Sequence, residues 1–197
     1  MALTLILNQW RIKMKYAGII ENDVSAGDGI CTTLFVQGCP HRCVGCHNPS
    51  TWDFNSGKEF TEETFNRLNK AINENGIKRN FCIMGGEPLA SRNRDTVLKI
   101  IRYIKKLNPT IDIYLWTGYY IEDLIKENDP IIIDILNNIN FLIDGPYVKE
   151  LRDVTLRYMG SSNQRFIEMP LTFIEKNGTI YIDYKNKENN NGSDFED

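Results

Sequence analysis

Three thiols crowd into the stretch GCPHRCVGCHNPS (38–50), as Cys39, Cys43 and Cys46 in a C-x3-C-x2-C arrangement. Thiols spaced this closely suit metal ligation, and two chemistries fit them. One is structural zinc, a tetrahedral site that His41 or His47 would complete. Zinc sites bring two ligand pairs across a longer spacer, and here the second pair is absent; His41 is also too near Cys39 and Cys43 to chelate beside both. The other is a 4Fe–4S cubane, ordinarily held by four thiolates. Three thiolates leave one iron open to a further ligand, and an open coordination position is what makes a metal centre catalytic. Gly38, Pro40 and Gly45 supply the tight turns that wrapping a cube would need.

The surrounding segments must hold that loop in place. ICTTLFVQ (30–37) is apolar and β-branched, a buried strand that runs into the cysteines. TEETFNRLNKAINENG (61–76) reads as a helix with Thr61 as N-cap. Thr64 at the N3 position leaves the capping box incomplete, while Glu62 and Glu63 suit the helix dipole. Phe65, Leu68 and Ile72 recur at helical spacing, and Gly76 stops the helix. NFCIM (80–84) is a short strand that ends in Gly85-Gly86. A second helix spans Arg94 to Leu107, with Val97, Ile100, Ile101, Ile104 and Leu107 on its inner side. IDIYLW (111–116) is a strand, Ile121 to Glu127 a helix, 131–137 a further short helix, and NFLID (140–144) a strand.

This alternation predicts an α/β fold with a parallel sheet and right-handed crossovers. Ligands gather beyond the carboxyl ends of such strands. The cysteine loop, Gly85-Gly86-Glu87, Thr117-Gly118 and Asp144-Gly145 each follow a strand, so all four are expected along one edge. TFIEKNGTIYIDY (172–184) carries Asn177-Gly178 between two alternating runs and predicts a C-terminal hairpin. Residues 1–185 are expected to form a single domain, followed by a disordered polar tail, 186–197.

Composition narrows the function classes. The chain has 197 residues, enough for one α/β domain. Its formal charge of -3 and isoelectric point near 5.5 give no basic field to attract nucleic acid. No apolar run is long enough for a membrane span, and the N-terminus lacks the basic start and cleavage site of a secretory signal. Five cysteines, three of them clustered, are not a disulfide framework and point to a reducing cytoplasm.

The C-x3-C-x2-C loop, followed by CIMGGEPL (82–89), resembles the paired motifs of the radical S-adenosylmethionine (SAM) enzymes. The likeness extends to CHNPSTWDFNSGKEFT (46–61), YLWTGY (114–119), FLIDGPYVKELRD (141–153) and GSSNQ (160–164). Together these cover most of residues 28–165 and resemble the activating enzymes of the anaerobic, class III ribonucleotide reductases. The resemblance implies an incomplete, TIM-like barrel of parallel strands and helices without a second cluster, so that Cys31 and Cys82 are core residues. It implies that Cys39, Cys43 and Cys46 hold a 4Fe–4S cluster whose open iron takes the amino and carboxylate groups of SAM. Gly85, Gly86 and Glu87 would receive the SAM amino group, Gly45 and His47 would contact its adenosine part, and Thr117 and Asp144 would help to hold its carboxylate or a nearby cation. Three positions depart from patterns seen in relatives: Gly45 stands where many superfamily members have an aromatic residue, Trp116 where some carry an acidic one, and Met159 where arginine is frequent.

The implied reaction is reductive cleavage of SAM and removal of a hydrogen from a glycine of the anaerobic reductase, with a flavodoxin-like electron donor. One alternative is activation of another glycyl radical enzyme such as pyruvate formate-lyase, which His47-Asn48 and Thr51-Trp52-Asp53 resemble equally. An alternative of a different class is a structural zinc module that docks to a partner.

Overall fold

A computed structural model describes residues 14–169, 172–176 and 179–183. The expected polar tail and the Asn177-Gly178 turn lie outside these residues. The strands are β1 (Lys15–Asp23), β2 (Cys31–Val36), β3 (Lys58–Glu59), β4 (Asn80–Gly85), β5 (Ile113–Trp116), β6 (Phe141–Asp144), β7 (Arg165–Glu168), β8 (Thr172–Lys176) and β9 (Thr179–Asp183). The α-helices are α1 (Glu62–Asn73), α2 (Arg94–Leu107), α3 (Ile121–Glu127) and α4 (Pro130–Asn138).

Seven strands form one sheet in the order β3-β1-β2-β4-β5-β6-β7. Its centre, β2-β4-β5-β6, is parallel as the alternation predicts. Its margins are not. β1 runs antiparallel to β2, β3 antiparallel to β1, and β7 antiparallel to β6. The sheet is therefore mixed, and the expectation of a purely parallel one is corrected at both edges. β8 and β9 pair as a separate antiparallel hairpin at the positions expected.

Period-two alternation divides the sheet into two faces. Leu34, Ile83, Leu115, Leu142 and Ile167 form one row across five strands, all buried, and pack with the inner residues of the helices. The opposite face carries Cys31, Cys82 and Tyr114, packed with Met84, Trp116, Tyr158 and Phe166. Cys31 and Cys82 are core residues there, as the sequence implied.

The helices follow their periodicity closely, with two corrections. At the start of α1 the Thr64 hydroxyl accepts the Thr61 backbone N–H at 3.2 Å, so a threonine completes the capping box that normally uses Glu or Gln. Leu107, at the last turn of α2, is 42% exposed and not part of its inner side.

Candidate functional site

The carboxyl ends of β2, β4, β5 and β6 open into one cavity of about 520 Å³, within the range of small-ligand sites. Cys39, Cys43 and Cys46 line one side of it. Gly85, Gly86 and Glu87, Thr117, and Gly45 with His47 line it as well. Nine of the ten residues picked out from the sequence are thus brought together. Asp144 is the exception.

The cysteine loop is fastened from both sides by buried amides. Gln37 Nε2 donates to the carbonyls of Ser50 (3.0 Å) and Asp53 (2.8 Å). Asn93, the residue preceding α2, donates through Nδ2 to Gln37 O (3.0 Å) and Glu87 O (2.9 Å), tying the cysteine loop to the Gly-Gly-Glu turn. Gly38 N–H donates to Thr51 O at 2.8 Å, and Cys39 N–H to Trp52 O at 3.1 Å. Inside the loop, Cys46 N–H donates to Cys43 O, and Asn48 N–H reaches Cys46 Sγ at 3.4 Å.

The two glycines of the motif are explained by what lies against them. A Cβ at Gly86 would stand 2.4 Å from the Gly38 carbonyl oxygen, and one at Gly85 would stand 2.9 Å from Phe35 Cα, with φ at +106° besides. The cysteine loop and β2 therefore sit directly on this turn. Gly45 has φ +73°, and a Cβ there would meet the Lys149 side chain at 3.1 Å. An aromatic residue would be strained at this position, which gives a physical reason for the glycine.

Glu87 is 1% exposed and saturated. Its Oε1 accepts from Leu89 N–H and the Thr117 hydroxyl, both at 2.9 Å. Its Oε2 accepts from Gly118 N–H at 2.8 Å and stands 2.8 Å from His41 Nε2. Since a carboxylate only accepts, Nε2 carries the hydrogen. His41 is thus a partner of the buried Glu87. The Thr117 hydroxyl is directed at Glu87 and also accepts Tyr119 N–H at 3.2 Å.

Asp144 faces away from the cavity. It is wholly buried, accepts Ile121 N–H at 2.9 Å and so caps α3, and is paired with Arg165, whose Nε donates to Oδ1 at 2.9 Å. Arg165 in turn grips Glu122 through two hydrogen bonds of 2.8 and 2.7 Å. Its guanidinium is held charged more firmly than usual, first by Glu122 and then by Asp144.

Several lining residues had no role in the sequence reading: Met84, Trp116, Tyr147, Arg152, Asp153 and Val154. All but Val154 lie in the segments that carry the resemblance, and only the fold shows that they share a wall. GSSNQ gains a role in the same way. Gln164 Oε1 accepts Gly160 N–H at 2.8 Å while its Nε2 donates to Gly145 O at 3.0 Å. Asn163 Nδ2 donates to Pro146 O, and Ser161 Oγ accepts Val148 N–H. The motif clamps the 145–152 loop that walls the cavity.

The donor set suits a cluster. Among the described residues, no three His, Cys, Asp or Glu side chains converge closely enough to hold a single metal ion. A cubane instead takes thiolates at separate corners. Burial pushes the Cys39 thiol up to about 11 and raises Cys43 in the same direction. Such thiols ligate once a metal centre draws off the proton.

A model of a 4Fe–4S single cluster domain matches residues 25–167. The chain is similar to the anaerobic ribonucleoside-triphosphate reductase-activating protein of Escherichia coli (strain K12), 38% identical over 152 residues, which are 77% of this chain and 96% of that protein. The protein of the same name from Enterobacteria phage T4 is also 38% identical, over 77% of this chain and 92% of its own length. That from Vibrio cholerae serotype O1 is 36% identical, over 77% and 96%.

Proposed function

Because the chain belongs to the family of anaerobic ribonucleoside-triphosphate reductase-activating proteins, we propose that it installs a glycyl radical in an anaerobic ribonucleotide reductase by radical SAM chemistry. The observation that carries this reading is the meeting of three thiols with the Gly-Gly-Glu turn in one cavity. Cys39, Cys43 and Cys46 would hold a 4Fe–4S cluster and leave its fourth iron to the amino and carboxylate groups of SAM. When bound, the cluster would supply the one electron needed to break a carbon–sulfur bond of SAM, giving methionine and a 5′-deoxyadenosyl radical that would take a hydrogen atom from a glycine of the reductase and become 5′-deoxyadenosine.

The protein's share is position and exclusion of water. Trp116, Tyr147, Met84 and Val154 offer an apolar wall to the adenosine part, beside Gly45 and His47. Arg152 is the cation on that wall that suits a carboxylate. The parallel strands β2, β4, β5 and β6, helix-covered on one face, are read as the arc of an incomplete radical SAM barrel. Val44 and Val154, 73% and 74% exposed beside the cavity, suit the docking of the reductase. The electron donor is of the flavodoxin kind and the setting cytoplasmic; among the described residues no helix is long and apolar enough to cross a membrane.

The test is anaerobic reconstitution with iron and sulfide, reduction, and addition of SAM with an anaerobic reductase. Wild type should release 5′-deoxyadenosine and leave a glycyl signal in the reductase, and Cys43→Ala should do neither. Stoichiometric zinc without SAM cleavage would sink the reading in favour of a structural module.

A further inference from the structure

Glu87 holds four donors on two oxygens, which is the full capacity of a carboxylate. Three of them, Leu89 N–H, the Thr117 hydroxyl and Gly118 N–H, come from its own turn and from the loop after β5. The fourth is His41, which lies between the first two cysteines of the loop. The imidazole is not loosely placed. Its side chain is 17% exposed, its ring meets Tyr119 edge-on with centroids 4.5 Å apart, and a Cβ at Gly118 would stand 2.6 Å from ring atoms. Gly118 thus leaves a slot that the ring fills, with Glu87 at its end.

We infer that His41 is a positioning residue for the cluster: through its hydrogen bond to Glu87 it fixes the Cys39–Cys43 limb of the loop against the ends of β4 and β5. In this arrangement Glu87 acts on the cluster loop through His41, because a ligand ammonium could reach the carboxylate only by displacing a donor that is already present. The SAM amino group is then left to the backbone of the Gly85-Gly86 turn. This inference rests on the three thiols being cluster ligands, as proposed above.

The experiment compares wild type, His41→Ala and His41→Gln after anaerobic reconstitution. The glutamine amide can still donate to Glu87, so it separates the hydrogen bond from the ring. The readouts are the rate of iron loss to a chelator and the electron paramagnetic resonance spectrum of the reduced cluster, each with and without SAM. Partners that orient metal ligands are typically worth about 10- to 100-fold in metal affinity or activity. His41→Ala should lose iron faster by roughly that factor and show a broadened, altered spectrum, whereas His41→Gln should stay within a few-fold of wild type. Iron loss and spectra unchanged in His41→Ala would overturn the inference. His41→Gln as defective as His41→Ala would overturn the hydrogen-bond role, and it would do so even if the alanine variant folded poorly. A wild type that takes up no cluster would overturn the proposed function itself, a result distinct from either.

Discussion

Replacing Gly86 by alanine tests whether the Gly-Gly pair exists for the contact with the cysteine loop. The new Cβ would stand 2.4 Å from the Gly38 carbonyl oxygen and 2.9 and 3.0 Å from the carbonyl carbon and nitrogen of that residue, where ordinary contact begins near 3.4 Å. The loop must therefore retreat by about 1 Å, a cost in the class of core overpacking. Gly38 cannot yield easily. Its N–H is bonded to Thr51, its carbonyl accepts Glu87 N–H at 2.8 Å, and its own hydrogen faces the Phe54 ring. Overpacking costs about 1–3 kcal/mol, and a weakened Gly38–Glu87 hydrogen bond adds about 1 kcal/mol. At about 2–4 °C per kcal/mol for a chain of this size, the melting temperature should fall by roughly 5–15 °C. A displacement of this size can lower activity by about 100-fold. The assays are thermal melting of the unloaded protein and, after reconstitution, iron content and 5′-deoxyadenosine formation. Gly18→Ala is the control, since nothing lies within 4 Å of its added Cβ. A Gly86→Ala protein that melts with wild type and keeps its iron would show that the glycine pair does not exist for this contact.

Arg165→Met should lower stability by about 3 kcal/mol, because it strips Asp144 of its charge partner in a fully buried setting. A double-mutant cycle with Asp144→Asn, followed by denaturant unfolding, should show coupling above about 1 kcal/mol, and simple additivity would contradict the pairing. Gln164→Ala should raise hydrogen exchange across residues 145–160 while α2 stays protected; unchanged exchange would remove the clamp role assigned to GSSNQ. Burial, reinforced by donation to Asp28, pushes the Tyr158 phenol up to about 12. Its protonated form is thus favoured by folding, so this contribution is complete below about pH 10, where the unfolded phenol still holds its proton, and is lost as pH rises from there to about 12. Tyr158→Phe should flatten the alkaline fall in melting temperature over that interval, and an unaltered slope would count against it.

Helix α2 could be read from its spacing to the residue, and the parallel centre of the sheet from the order of elements. β1 could not. In KYAGIIEND only Tyr16 and Asp23 are fully buried, so its alternation is faint. β7, RFIE, is a four-residue edge strand whose charged arginine turns inward to Asp144, against the usual pattern. At the site, motifs next to strand ends were legible because a strand end dictates where its loop must go. Partnerships across long sequence separation were not. Nothing local in His41 says that its ring reaches Glu87, and nothing in Asp144 says that an arginine from β7 will draw it away from the cavity. Residues 145–164 have quotable motifs but little periodicity, so their wall-forming role emerges only from packing.

The clamp of Gln164 on Gly145 also sets an order of events during synthesis. The cysteines leave the ribosome early, while the segment that closes the opposite wall emerges roughly 6–24 seconds later at usual elongation rates. Through that interval the three thiols face solvent without their apolar wall and are open to oxidation or to the wrong metal. A ribosome stalled before residue 164 would therefore expose a thiol loop that lacks the wall held by Gln164.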